Sequence, residues 1–407
     1  MSKAGPGSVI VLIIIFLLTT CIEPYVPNIE GYQSLLVVDG LITDENSVYT
    51  VKLSRSMQED AEPALVSDAS VSVTNDIGNT YYFENTDEGI YKSDNTQFTG
   101  SVGRTYTLNI STSDGEVFKS DPCLMYDVPD IDTVFFEKDE VLANNGTESD
   151  MGIQIYLRSN EGDDSRYYRW AYDETWKFKV PTPSRSIYID ETHILMNHDV
   201  REYCWKNRKS AEILINRTYP GDSKTIQKMP LTFIASEKSD RLLLHYSVLV
   251  RQFSISKKEY DFWYNLSKVD VIGGDIFAAQ PYSVSGNIHD VNNPDRKVLG
   301  YFQVSAVSQK RREIPFGDIV GLDLPYYHYP CIRIEDSPNI PPWVAFNPPL
   351  TWDDIHYMYT TSGYTFVEPK YIQGTLNLDR LVFTKIDCSD CSVTGSTEKP
   401  DFWKDSF

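Results

Sequence analysis

Apolar and polar residues alternate with a period of two along most of this 407-residue chain. The first clear runs are Leu35-Leu36-Val37-Val38-Asp39-Gly40-Leu41-Ile42-Thr43 and Tyr49-Thr50-Val51-Lys52-Leu53-Ser54-Arg55. Both are rich in β-branched residues that suit a pleated surface, and Asp-Glu-Asn turn chemistry separates them, so each predicts a strand. The pattern repeats at 69–74, 80–83, 89–92 and 105–111, and Asp114-Gly115 supplies a hairpin turn before a further run at 116–120. Short strands at this spacing predict a β-sandwich over residues 34–125, immunoglobulin-like or transthyretin-like, without the paired cysteines of an antibody domain.

Two prolines and four aspartates between Asp121 and Asp132 break the pattern and mark a boundary. Beyond it, residues 126–407 predict a larger β-rich domain with one or few short helices. Strands are expected at 134–137, 152–157, 167–178, 242–254 and 298–309, and residues 140–150 read as an exposed loop. The one clear helix covers 257–269. Ser256 followed three residues later by Glu259 forms a capping box, Phe262, Trp263 and Leu266 share a face, and Gly273-Gly274 ends the pattern. That aromatic face is expected to pack on the second sheet.

The N-terminus follows another rule. After Lys3 an unbroken apolar run from Val9 to Leu18 stops at Thr19-Thr20-Cys21. A basic start, about ten apolar residues and a small-residue cleavage region describe an export signal, since a spanning helix needs roughly twenty. Leu18-Thr19-Thr20-Cys21 resembles the bacterial lipobox, with Thr20 where Gly, Ala or Ser is usual. Residues 1–20 are therefore expected to be removed and Cys21 lipidated, anchoring the protein in a bilayer through a Pro-containing tether over 21–33.

Without Lys3, 36 basic residues face 58 acidic ones, a formal net charge of −22. A field of that sign repels phosphate backbones, so nucleic acid is not an expected partner. Five cysteines remain after Cys21, and an oxidising compartment makes disulfides their default use. Cys204, Cys331, Cys388 and Cys391 are the disulfide candidates and Cys123 is left over. Their connectivity is not readable, and Cys388-Ser389-Asp390-Cys391 has no second such pair with which to hold zinc.

From Phe316 to Phe366 the chain becomes dense in proline and aromatic residues. Tyr and Trp present flat apolar faces with a polar tip, suited to sugars, peptide side chains or a protein interface. Tyr326, Tyr327, Tyr329, Trp343, Trp352, Tyr357 and Tyr359 are accordingly candidate ligand or partner contacts. No nucleophile elbow, zinc-helix motif, P-loop or dinucleotide fingerprint occurs, so no catalytic, metal or cofactor residue is assigned. Asp290-Val291-Asn292-Asn293-Pro294-Asp295 opens like a calcium loop, but proline at its fifth position and the missing glutamate at its twelfth spoil it.

Three segments together resemble one family. Leu36 to Ser56, then Ser285-Gly286-Asn287-Ile288 with Val298-Leu299-Gly300-Tyr301-Phe302, then Cys388 to Trp403 are similar to the DUF4249 lipoproteins of Bacteroidota. The resemblance implies an outer-membrane lipoprotein, facing outward, of a kind commonly encoded beside TonB-dependent transporters. It carries no catalytic residues. The expected function is a non-enzymatic accessory subunit of a TonB-dependent barrel, capturing a nutrient or covering the pore. The alternatives are a structural subunit of a larger outer-membrane assembly and a surface hydrolase, which would need convergent carboxylates or a nucleophile with its base.

Overall fold

The computed structural model describes residues 34–56, 64–142, 146–160, 166–190, 193–218, 225–272, 284–336, 351, 353–354, 357, 360–361, 363–374 and 378–404. Residues 1–33, over which the export signal, Cys21 and the tether are expected, lie outside them, as do Trp343, Trp352 and Tyr359. The protein is mainly β.

Strands β1 (Leu36–Ile42), β2 (Thr50–Arg55), β3 (Ala64–Leu65), β4 (Ser70–Asn75), β5 (Thr80–Asp87), β6 (Ile90–Lys92), β7 (Thr105–Ser111), β8 (Val117–Ser120) and β9 (Cys123–Leu124) build the first unit. In β1 the alternation puts Leu36, Val38 and Ile42 inward; in β7 it does the same for Tyr106, Leu108 and Ile110. Burying each such aliphatic side chain stabilises the fold by about 1.5–3 kcal/mol. The first half of β5 pairs with β4 and its second half with β6, so this strand carries the chain from one layer to the other. Between the layers lies a core that includes Val51, Val71, Tyr91 and Phe118.

The second unit contains β10 (Ile131–Leu142), β11 (Ser149–Ser159), β12 (Tyr167–Lys179), β13 (Ser186–Asp190), β14 (His193–Met196), β15 (Tyr203–Lys209), β16 (Leu214–Arg217), β17 (Ile226–Ala235) and β18 (His245–Ser254). After helix α1 (Lys257–Ile272) come β19 (Ile288–Asp290), β20 (Leu299–Val304), β21 (Val307–Pro315), α2 (Phe316–Ile319), β22 (Ile334–Asp336), β23 (Tyr364–Tyr371) and β24 (Leu378–Lys385). Sheet β10-β11-β17 and sheet β15-β12-β18-β21 share a core in which Ile153, Ile155 and Leu157 join Trp170, Tyr172, Val248 and Val250. A third small sheet, β22-β24-β23, packs with the β13–β14 hairpin around Tyr188, Phe366, Leu381 and Phe383.

The structure corrects or refines four expectations. Within 140–150, Glu140–Leu142 continue β10 and Ser149–Asp150 open β11 in register with it, so the expected loop is shorter than the sequence implied. Their polar sequence reflects exposure on both faces of a hairpin end. Residues 298–309 are two strands in two sheets, divided at Ser305 and Ala306. A division of the chain at residue 125 is also too simple: β19 pairs with β8, and β20 pairs in parallel with β1 from Val37↔Leu299 to Ile42↔Val304. The first core is thus closed by Ile288, Phe302 and Val304 from far downstream. Finally, Ser256 Oγ accepts from the Glu259 N–H at 3.1 Å, but the Glu259 carboxyl does not return to cap Ser256. It turns inward and accepts from Trp263 Nε1 at 3.2 Å.

The β20 junction explains two glycines. A Cβ on Gly300, whose φ is +86°, would lie 1.9 Å from the Val38 carbonyl oxygen, and one on Gly286 would lie 1.8 Å from the Gly300 oxygen. Only residues without a side chain let the returning segment approach β1 this closely.

Candidate functional site: a cleft between the two sandwiches

The outer faces of the two sandwiches bound an open cleft of about 780 Å³. One wall is the outward phase of β1, β2 and β20, where Asp39 stands opposite Lys52 on one side and Tyr301 on the other. The other wall is the outward phase of β12 and β18. Trp170 and Tyr172 point into the core, which leaves Arg169, Ala171 and Asp173 facing out, with Phe253 beside Arg169 and Arg251 beside Ala171. Helix α1 closes one end. Its Phe262 ring meets Tyr301 at 4.8 Å, and Trp263 lies against Arg169.

Charge in the cleft is unevenly paired. Arg251 holds Asp173 at 2.7 Å. The Arg169 guanidinium is 4.6 Å from the Trp263 ring centre and 5.3 Å from that of Phe253. Its Nε is buried with no hydrogen-bond partner, and burial pulls its affinity for a proton below the usual arginine range. Beneath it Glu259 is only 3% exposed. Burial raises its pKa to about 8, against the opposing pull of Arg169 and the Trp263 hydrogen bond. Glu259 is therefore mostly uncharged at neutral pH.

Behind this wall, Cys123 carries the free thiol among the described residues. Asn287 Nδ2 donates to its sulfur at 3.2 Å, and burial pushes its pKa up to about 12. The thiolate is thus disfavoured, which gives no basis for a nucleophile here.

The residues singled out by sequence lie elsewhere. Tyr327 and Tyr329 meet edge to face at 5.0 Å, and the Tyr329 hydroxyl donates to the Lys179 carbonyl. These two rings fasten their loop to the second sandwich. Tyr326 is 63% exposed and Tyr357 60% exposed, so both remain accessible for contacts. Cys204 bonds to Cys391 and Cys331 to Cys388. The Asp290 carboxylate accepts from the N–H groups of Asn292 and Asn293, both at 2.9 Å, so it builds a turn. Among the described residues no three His, Cys, Asp or Glu side chains group as metal ligands. Sequence reasoning missed Arg169, Arg251 and Glu259. The signal available for Arg169 was the polar phase of the 167–178 alternation, but period two tells which residues share a face and not what that face meets.

Comparison with known proteins gives a family and little else. No curated protein matches the chain. A solved structure described as a biofilm associated protein, BSP domain, aligns with 7% identity and a TM-score of 0.11, covering 70% of this chain and 62% of that one. The chain thus spans less than two thirds of that structure's length. The family model of DUF4249, a domain of unknown function, matches residues 22–311. That stretch contains the Leu36–Ser56 and Ser285–Phe302 segments, both sandwiches up to β21 and the whole described cleft wall, while Cys388 to Trp403 lies beyond it. This chain belongs to the DUF4249 family.

Proposed function

We propose that this protein is a non-enzymatic lipoprotein, anchored by acylated Cys21 in the outer membrane of a member of the Bacteroidota and facing outward. There it docks on a TonB-dependent barrel as an accessory subunit for nutrient capture or barrel cover. The observation that carries the reading is the order of the segments. The export-signal pattern runs to Thr20, just before Cys21, and the family match begins at Ile22, leaving a short proline-containing tether before β1. A folded unit held that close to a bilayer meets membrane proteins at high effective concentration.

The test is purification of the tagged full chain from its native membrane in mild detergent, with mass spectrometry of what accompanies it. Stoichiometric recovery of one TonB-dependent barrel supports the reading, and recovery of the protein alone rejects it. Replacing Cys21 with Ala should release the protein from the membrane fraction.

A second reading, a structural subunit of a larger outer-membrane assembly, is favoured by the β13–β14 hairpin. Tyr188 and Ile194 pack inward on one face, while Ile187 and Leu195 oppose each other on the other face, 37% and 53% exposed. Co-purification of several assembly components without a transporter would select this reading.

A further inference from the structure

We propose that the cleft between the sandwiches binds a small organic monocarboxylate with an apolar body, the carboxylate being received by Arg169. The inference goes beyond barrel docking and does not depend on it. Its first support is the state of Arg169. A buried donor without a partner costs about 1–3 kcal/mol, more if charged, and folded proteins rarely keep one without a use. Arg169 Nε is such a donor, and no carboxylate among the described residues lies within 4.0 Å of this guanidinium. Its rings of contact are Trp263 and Phe253, and a guanidinium offers a carboxylate a planar fork of donors for two parallel hydrogen bonds.

The neighbouring acids leave that charge available for direct pairing, although Asp39 on the facing wall also acts on it across the cleft without forming an ion pair. Asp173 is taken by Arg251, and the buried Glu259 carboxyl is mostly neutral at pH 7. At the rim Lys52 and Lys209 are exposed, and neither makes an ion pair among the described residues. One carboxylate fits this balance. A phosphate dianion does not, because Asp39 and Glu45 line the same cleft and the protein as a whole is strongly acidic. The apolar body follows from the walls, which Phe262, Trp263, Leu266 and Tyr301 line, with Trp263 and Leu266 partly exposed and Phe262 packed on Tyr301. The volume is in the range of small-molecule sites.

The test is calorimetric titration of the full chain, in detergent at low ionic strength, with N-acetylphenylalanine, indole-3-acetate and hexanoate, each against its neutral amide. At least one acid should bind ten times or more tighter than its amide. Arg169→Met should abolish that preference, Arg169→Lys should restore part of it, and Lys209→Gln at the rim should weaken the acid two- to threefold. Equal affinity for acid and amide, no binding of any of the three acids at millimolar concentration, or full preference in a folded Arg169→Met would overturn the proposal. Should Arg169→Met fail to fold, the wild-type acid–amide comparison and Lys209→Gln decide. None of these results bears on the co-purification test, so the two readings fail separately.

Discussion

Asn287 holds Phe302 by both of its backbone groups: Asn287 Nδ2 donates to the Phe302 carbonyl and the Phe302 N–H donates to Asn287 Oδ1, each at 2.9 Å. The amide thus acts as a substitute strand edge, on the side of β20 away from β1, where no further strand among the described residues pairs. Both residues are buried, so water cannot replace either bond. Asn287→Ala should lower stability by about 1–3 kcal/mol, since it leaves the Phe302 N–H unpaired and its carbonyl with only the weak Cys123 thiol donor at 3.6 Å. Urea unfolding measures this, and a loss below about 0.5 kcal/mol would show that the clamp is dispensable.

The Cys123 thiol should be inert in the native protein. With its pKa pushed up to about 12 by burial, the thiolate fraction at pH 7.5 is vanishingly small. Iodoacetamide should therefore label the native protein at no cysteine among the described residues, and label Cys123 once urea unfolds it. Rapid native labelling at Cys123 would contradict its burial.

Glu259 should make stability fall as pH rises. Its folded pKa, about 8, lies above the ordinary carboxylate value of 4.5, so the folded state keeps a proton that the unfolded state loses. The penalty is absent below about pH 4.5, grows through the interval and is complete above about pH 8, where it reaches roughly 5 kcal/mol. Glu259→Gln keeps an acceptor for Trp263 and removes the charge. The difference in unfolding free energy between variant and wild type should grow in favour of the variant from pH 5 to pH 9. A difference independent of pH would mean that Glu259 ionises normally in the fold.

Removing the Cys204–Cys391 bridge should loosen the C-terminal tail. The bridge closes a 187-residue separation, for which the chain-entropy relation gives about 5 kcal/mol. The tail behind it packs Trp403 against His245 at 4.6 Å and bonds Trp205 to Ser396 through their backbones. The Cys204→Ala, Cys391→Ala double variant should unfold at lower urea and expose residues 386–404 to limited proteolysis first. Unchanged proteolysis would show that packing alone secures the tail.

The sequence alone determined most strands of the first unit, parts of β10, β11, β12, β18, β20 and β21, helix α1 and the family, but not β13–β17 or β22–β24. Alternation names the inward residues of β1, β7 and β12 because a half-buried strand must put every second side chain in a core, and that demand is written locally. Ser256 marks the start of α1 for an equally local reason, an unpaired N–H within reach of its own side chain. The cysteines likewise announced a use in bridging, but not a partner.

Only the tertiary structure decided which surfaces meet. The parallel pairing of β1 with β20 joins residues some 260 positions apart, and nothing in either strand's own pattern names the other. The same holds for Cys204 with Cys391, brought together when the tail runs back past β15 and the Cys391 N–H donates to the Arg201 carbonyl. Glu259 read as a cap because its spacing fits one, yet it turned to Trp263 and Arg169, which are supplied by the helix's next turn and by β12. The cleft itself arises where the outward faces of two sandwiches approach. A period-two pattern specifies the outward face of a strand, but what that face meets depends on contacts between elements distant in sequence, and those are settled only when the whole chain packs.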